Sequence, residues 1–431
     1  MNIALHLARE AADHPSAPHL TFVGLSTAAP KLRAHGIRPL GFVDFVDARR
    51  DATALAEGRR LANAMHTSNL GISVEESIAY LGLSMAEFRE RAGNDADDLV
   101  RRLGRAVWCP TEVLGRIIDR VRPDVVVTTN SPRAERAAHI ASAARGIPSV
   151  RIEDLFGRTS VIKPIRDALG TDVATRLVGR LSPSVITVMN PLAKGVVLKF
   201  ADEELVDASP TNVRVTGQPV LEGALERRAT MHLANLPELR SANGLPREGP
   251  LLVWATDNLP PDRSIAPYLV QWANHPDSPH LCIKMHPGPS AQTRAFFSSL
   301  AGPKVTVIEQ ADILDLLLAS SATLSHFSTV GLEAALVGRP LALLDLKPSR
   351  SLPAPYATVE HFYEGTIPFL RDIASAVIDS PEDIPRELDR LFEERSAKPM
   401  PSAYEVPRHG ARRILDCAIA LATGSSVTGA E

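Results

Sequence analysis

Cysteine is almost missing from this chain: three residues in 431, Cys109, Cys282 and Cys417, far apart in sequence. They form neither a metal-ligand spacing nor a disulfide framework, so a reducing cytoplasm is the simplest home. Aromatic residues make up 5% and no apolar run reaches 18 residues, which leaves no stretch to span a bilayer as a helix. The opening MNIALHLARE lacks the charged and apolar regions of a signal peptide. Excess charge of one sign is also lacking. A formal net charge of −3 builds no basic field, which argues against nucleic acid as the main partner. The chain has no Gly-x-Gly-x-x-Gly loop and no Walker A motif, which disfavours NAD enzymes and P-loop ATPases. It offers no Asp-x-Asp element at an expected strand end, of the kind that carries Mg²⁺ to a diphosphate, and no His/Cys cluster for zinc, so the expectation is a metal-free reaction.

What is present is alternation. Apolar, β-branched runs at 19–25, 124–129, 149–152 and 185–189 predict strands in the first half. Runs at 251–255, 281–285, 305–308, 322–325 and 341–344 predict them in the second. Helical patterns fall at 110–121, 133–145, 221–236, 313–319, 331–337 and 408–423, and a further helix is expected at 2–13. Strands separated by helices, with little polar alternation, predict parallel sheets covered on both faces. With 431 residues, two domains are expected. Thr216-Gly217-Gln218-Pro219 is turn chemistry, which divides the chain into 1–215 and 216–431, the last helix crossing back. No strand precedes the first helix, so the chain is expected to start one strand late or to carry a trimmed fold.

Ligands of such domains collect at the carboxyl ends of parallel strands. In SHFSTVGLEAALVGRP, Ser325, Ser328, Thr329 and Gly331 lie between a strand and a helix, and Glu333 falls in the first helical turn. Hydroxyls and free amides suit phosphate, and a carboxylate suits ribose hydroxyls. The same residues would equally make a plain helix cap. Lys284, His286 and Pro287 end the strand at 281–285, the first two on one side by period 2, where His286 could assist a departing phosphate. Thr256 ends the strand at 251–255, and Asp312 is expected to be an N-cap. In the first half, Asn130, Ser131 and Arg133 follow a strand and could bind an anionic acceptor or donor group. Glu153 and Asp154 follow the next strand, where one could act as a general base, or could cap a helix or pair with Arg151.

Together these motifs resemble the GT-B superfamily of nucleotide-sugar enzymes. VRVTGQPV, with Gly217, resembles the interdomain segment of hydrolysing UDP-N-acetylglucosamine 2-epimerases. STVGLEAALVGRP is similar to the donor segment of capsule polysaccharide glycosyltransferases of the Kdo-transferring kind. His286-Pro287 and Ser328-Thr329 resemble motifs of bacterial sialyltransferases that hold the CMP phosphate, with Glu153-Asp154 where an acidic motif supplies the base. Unlike the epimerases, the chain has no Gly-Gly turn and no paired Glu-Glu at the donor helix. The resemblance implies an α/β GT-B fold of two doubly wound, Rossmann-like domains facing a central cleft. It implies a cytoplasmic glycosyltransferase, at most peripheral at the inner membrane face. That enzyme would move sugar from a UDP- or CMP-linked nucleotide sugar to a surface polysaccharide or glycolipid acceptor, without metal or other cofactor. A hydrolysing epimerase is the alternative reading, and a catalytically inactive glycan- or partner-binding module a third.

Overall fold

A computed structural model describes residues 2–25, 28–66, 71–130, 133–153, 162–231, 235–257, 260–286, 290–326, 328–346, 369–394 and 396–425. The chain divides into two compact units: Met1–Val220 with Val406–Glu431, and Leu221–Glu405.

The first unit holds a four-stranded parallel sheet, β1 (Val126–Thr129), β2 (Ser149–Ile152), β3 (Val185–Val188) and β4 (Val213–Val215), in the order β1-β2-β3-β4. Period 2 sends alternate residues to opposite faces. Val150 and Ile152 join Ile3, Leu7 and Ala11 of the helix Asn2–Asp13 and Ile414, Leu415 and Ala418 of the helix Gly410–Thr423. On the other face, the Ser149 hydroxyl meets Nδ1 of His139, in the helix Ala134–Ala143, at 2.9 Å. Residues 19–25 do not form the expected strand. Val23 pairs with Leu40 in a single parallel bridge, held by the Leu40 N–H to the Phe22 carbonyl and the Gly24 N–H to the Leu40 carbonyl, and its side chain stays exposed.

Ahead of this sheet lie helices the apolar pattern does not announce, including Ala52–Met65, Val74–Ala92 and Ala96–Leu103. The first two cross at Gly58 and Gly82. A Cβ on Gly82 would fall onto the Ala54 carbonyl, and one on Gly58 onto the Ile78 carbonyl. Backbone on both sides leaves nothing to give way, so Gly82→Val should destabilise the first unit by about 3 kcal/mol. The check is the urea midpoint of that unit; an unchanged midpoint would mean the helices can separate at little cost.

The second unit is built on six parallel strands: β5 (Leu251–Ala255), β6 (His280–Lys284), β7 (Val305–Ile308), β8 (Ala322–Ser325), β9 (Leu341–Leu344) and β10 (Ala376–Ile378). Their order is β10-β9-β8-β5-β6-β7. Leu252 and Trp254 face a core shared with the helices Pro260–Ala273 and Ile384–Glu394. Leu251 and Val253 face the opposite way, onto Leu316 and Ala319 of the helix Ile313–Ala319. Both faces are covered, which is why the strands read as nearly continuous apolar runs. No helix among the described residues is long and apolar enough to cross a membrane.

Candidate functional site

Counted in chain order, the second sheet runs outward from β5 through β6 to β7 on one side, and from β8 through β9 to β10 on the other. The direction of winding reverses between β5 and β8, which pair directly, Trp254 opposite Leu324. At such a reversal the loops leaving the two central strands part in opposite directions and leave a crevice at the strands' carboxyl ends. The residues that leave β5 are Thr256 and Asp257; those that leave β8 are His326, then Ser328 and Thr329.

Thr256 is buried, donates its N–H to the Lys284 carbonyl at 3.0 Å and accepts the His286 N–H on Oγ1 at 3.0 Å. It thus ties the ends of β5 and β6 together and leaves His286 exposed at the rim. Lys284 does not project free. Its Nζ donates to the carbonyls of Met285 (2.8 Å) and Glu309 (3.0 Å), and burial pushes its pKa down. Ser325 is fully buried, and its Oγ meets no hydrogen-bond partner among the described residues. The Ser328 hydroxyl accepts the Val330 N–H at 3.2 Å, while Thr329 occupies the cap position of the helix Val330–Leu336 without a side-chain cap bond. Gly331 serves packing: a Cβ there would press on Leu370 at 2.9 Å and Leu341 at 3.3 Å. Glu333 is buried. Desolvation, reinforced by the nearby Asp312 charge, lifts its carboxyl to about 7. Asp312 itself is the expected N-cap, accepting the Leu314 N–H at 3.0 Å. Pro287 lies outside the described residues.

Sequence reasoning passed over His326. It is fully buried, and desolvation drops its pKa to about 3, so the imidazole is neutral at any working pH. Its Nδ1 stands 4.0 Å from Asp257 Oδ2. Asp262, also fully buried, accepts the Asp257 N–H at 2.9 Å. Ligand atoms of Asp257, Asp262 and His326 lie within 4.8 Å of one another. No local spacing could reveal this set, because Asp257 and Asp262 follow β5 and His326 follows β8, and only the β5–β8 pairing brings them together.

In the first unit, Asn130 follows β1 and Glu153 follows β2. The Asn130 amide donates to one Glu153 oxygen, and Arg151 Nη2 donates to the other at 3.1 Å. Glu153 is 2% exposed, so the structure realises the pairing with Arg151. Arg133 takes a positive φ of 72° immediately before the helix Ala134–Ala143. Ser131 and Asp154 lie outside the described residues. Gly217, just after β4 at φ +89°, is where a Cβ would strike the Pro407 carbonyl, so glycine is required there by close backbone passage.

No protein-family model and no curated protein matches this sequence. Solved structures do resemble it. The S. aureus MnaA–UDP co-structure superposes with a TM-score of 0.51 at 14% identity, covering 77% of this chain and 84% of that one. UDP-GlcNAc 2-epimerase from Neisseria meningitidis, bound to UDP-GlcNAc, gives 0.50 at 16% identity, covering 74% and 82%. At such identities the likeness is one of fold. The chain has the GT-B-like fold of two Rossmann-like units expected from its motifs.

Proposed function

We propose that this chain is an enzyme acting on a nucleoside-diphosphate sugar, breaking the bond between the anomeric carbon and the diphosphate. The observation that carries the reading is the reversal of winding between β5 and β8, with Thr256, Ser328 and Thr329 at its carboxyl edge. Hydroxyls and loop amides there would take the phosphates, and the Glu333 carboxyl would take the ribose hydroxyls. His286, exposed at the rim, would protonate or stabilise the departing phosphate. Lys284, already donating to two carbonyls, would shape the rim and add positive charge. In the first unit, Asn130 and Arg133 would bind an anionic acceptor group. Glu153, closed off by Arg151 and Asn130, would hold Asn130 in place and would not abstract a proton.

The two solved relatives carry UDP and UDP-GlcNAc, which favours a UDP-linked donor over a CMP-linked one. The Neisseria relative is a 2-epimerase, which favours a hydrolysing, epimerase-like reaction over transfer to a surface glycan. Incubation of the full chain with UDP-GlcNAc alone, followed by NMR, should show UDP and a 2-epimeric sugar. UDP release only on addition of a glycan or glycolipid acceptor would establish the transferase instead. Failure to bind UDP in calorimetry would sink the nucleotide-sugar reading and leave the non-catalytic module.

A further inference from the structure

We propose that Asp257, Asp262 and His326 form a binding site for one divalent first-row metal ion, of the Mn²⁺ or Zn²⁺ class, at the mouth between β5 and β8. Three observations converge on it. The first is distance. His326 Nδ1 and Asp257 Oδ2 stand 4.0 Å apart, too far for a hydrogen bond. Two ligands each about 2.0–2.2 Å from a shared ion stand roughly 3–4 Å apart, so this gap fits an ion between them. The ligand atoms of the full set all lie within 4.8 Å of one another.

The second is donor chemistry. One imidazole and two carboxylates suit Mn²⁺ or Zn²⁺; an all-oxygen set would suit Mg²⁺ or Ca²⁺, and a thiolate-rich one softer ions. The third is rigidity. Each ligand is fixed by a different element: Asp257 by the end of β5, His326 by the end of β8, and Asp262 by the first turn of the helix Pro260–Ala273. The Asp262 carboxylate, through its bond to the Asp257 N–H, also fixes the backbone of the loop that carries a second ligand. His326 and Asp262 are fully buried and Asp257 is nearly so, which holds the donors in place without solvent competition.

Such a site stands against the metal-free expectation drawn from short-range spacing, and metal titration decides between them. An ion there would place positive charge where a departing diphosphate needs it, a role that rests on the nucleotide-sugar reading; binding of the ion itself does not.

The test is titration of the chelator-treated full chain with Mn²⁺, following the free-ion signal by electron paramagnetic resonance. About one equivalent should bind. Asp257→Ala and His326→Ala should each weaken it at least about tenfold, while the exposed Asp172→Asn should leave it unchanged. Because an alanine in a buried position can unfold a unit, His326→Cys provides a second reading. A thiolate should keep Zn²⁺ and lose Mn²⁺. No binding of either ion, or binding indifferent to all three site substitutions, overturns the proposal. UDP calorimetry on the same chelated protein separates the two conclusions: ion binding without UDP binding removes the nucleotide reading alone, and UDP binding without ion binding removes this one alone.

Discussion

Glu333→Gln is expected to make the protein more stable and less able to bind nucleotide. Burial holds the Glu333 carboxyl at about 7, against an ordinary 4.5. Between those values the folded chain keeps a proton the unfolded chain has given up, so stability falls as pH rises. The favourable contribution is complete below pH 4.5 and lost once pH passes about 7. A neutral amide of the same shape carries no such penalty. At pH 8 the variant should therefore gain about 2–3 kcal/mol, and the difference from the parent should vanish near pH 4. If the carboxylate meets ribose hydroxyls, the same change should cost UDP affinity about 1–3 kcal/mol, one to two decades in Kd. A stabilised variant with weakened binding would mark Glu333 as a residue retained for its ligand. Parallel denaturation and calorimetry at pH 4 and pH 8 read both effects. Stability unchanged at pH 8 would show the carboxyl is not desolvated, and unchanged UDP affinity with the fold intact would remove the ribose role.

A second large effect is expected in the first unit. Arg136 sits in the first turn of the helix Ala134–Ala143, fully inside the protein, with its pKa drawn down to about 10 by desolvation. Its guanidinium donates to four backbone carbonyls: Val178 (2.8 Å), Gly179 (2.6 Å), Glu204 (3.2 Å) and Leu205 (3.1 Å). The first two end the helix Thr171–Val178, and the other two form the bend before the isolated Leu181–Val206 bridge. One side chain thus supplies donors to carbonyls of two chain segments, of which the Leu205 carbonyl also accepts the Leu181 N–H at 2.9 Å. Arg136→Met keeps much of the volume and removes every donor. Each buried carbonyl left unsatisfied costs about 1–3 kcal/mol, softened where water can enter, so a loss of about 3–4 kcal/mol is expected. Chemical denaturation of the first unit measures it; a loss below about 1 kcal/mol would mean the carbonyls find other donors.

The second sheet was readable in sequence because a parallel strand covered on both faces has no polar side to interrupt it. LLVWA and LALL announce themselves, and their bounds match β5 and β9. The short strands β4 and β10 did not stand out, since Val-Arg-Val and Ala-Val-Ile are too short for a pattern to form. The helices between 52 and 103 were hidden for another reason. They are rich in alanine and charge and meet through glycines, so their contact is made by absence of side chain and not by an apolar stripe. Residues at strand ends could be nominated as a set, because topology sends ligands there. Which of them reach outward could not. The chemistry of Lys284 is set by two carbonyls, one of them on a strand partner's loop, and that of His326 by a residue on another strand. Such pairings exist only once the sheet is assembled.

Gly217 and Pro407 lie against each other where the chain departs for the second unit and where it returns. The second unit is one uninterrupted length of chain, whereas the first needs its final segment: the helix Gly410–Thr423 completes the core begun by Ile3, Leu7 and Ala11. On a ribosome the order of maturation is therefore inverted. The inserted unit has all its residues in hand as soon as Glu405 is clear of the exit tunnel, while the earlier-made unit must wait with an apolar flank uncovered until the helix Gly410–Thr423 emerges.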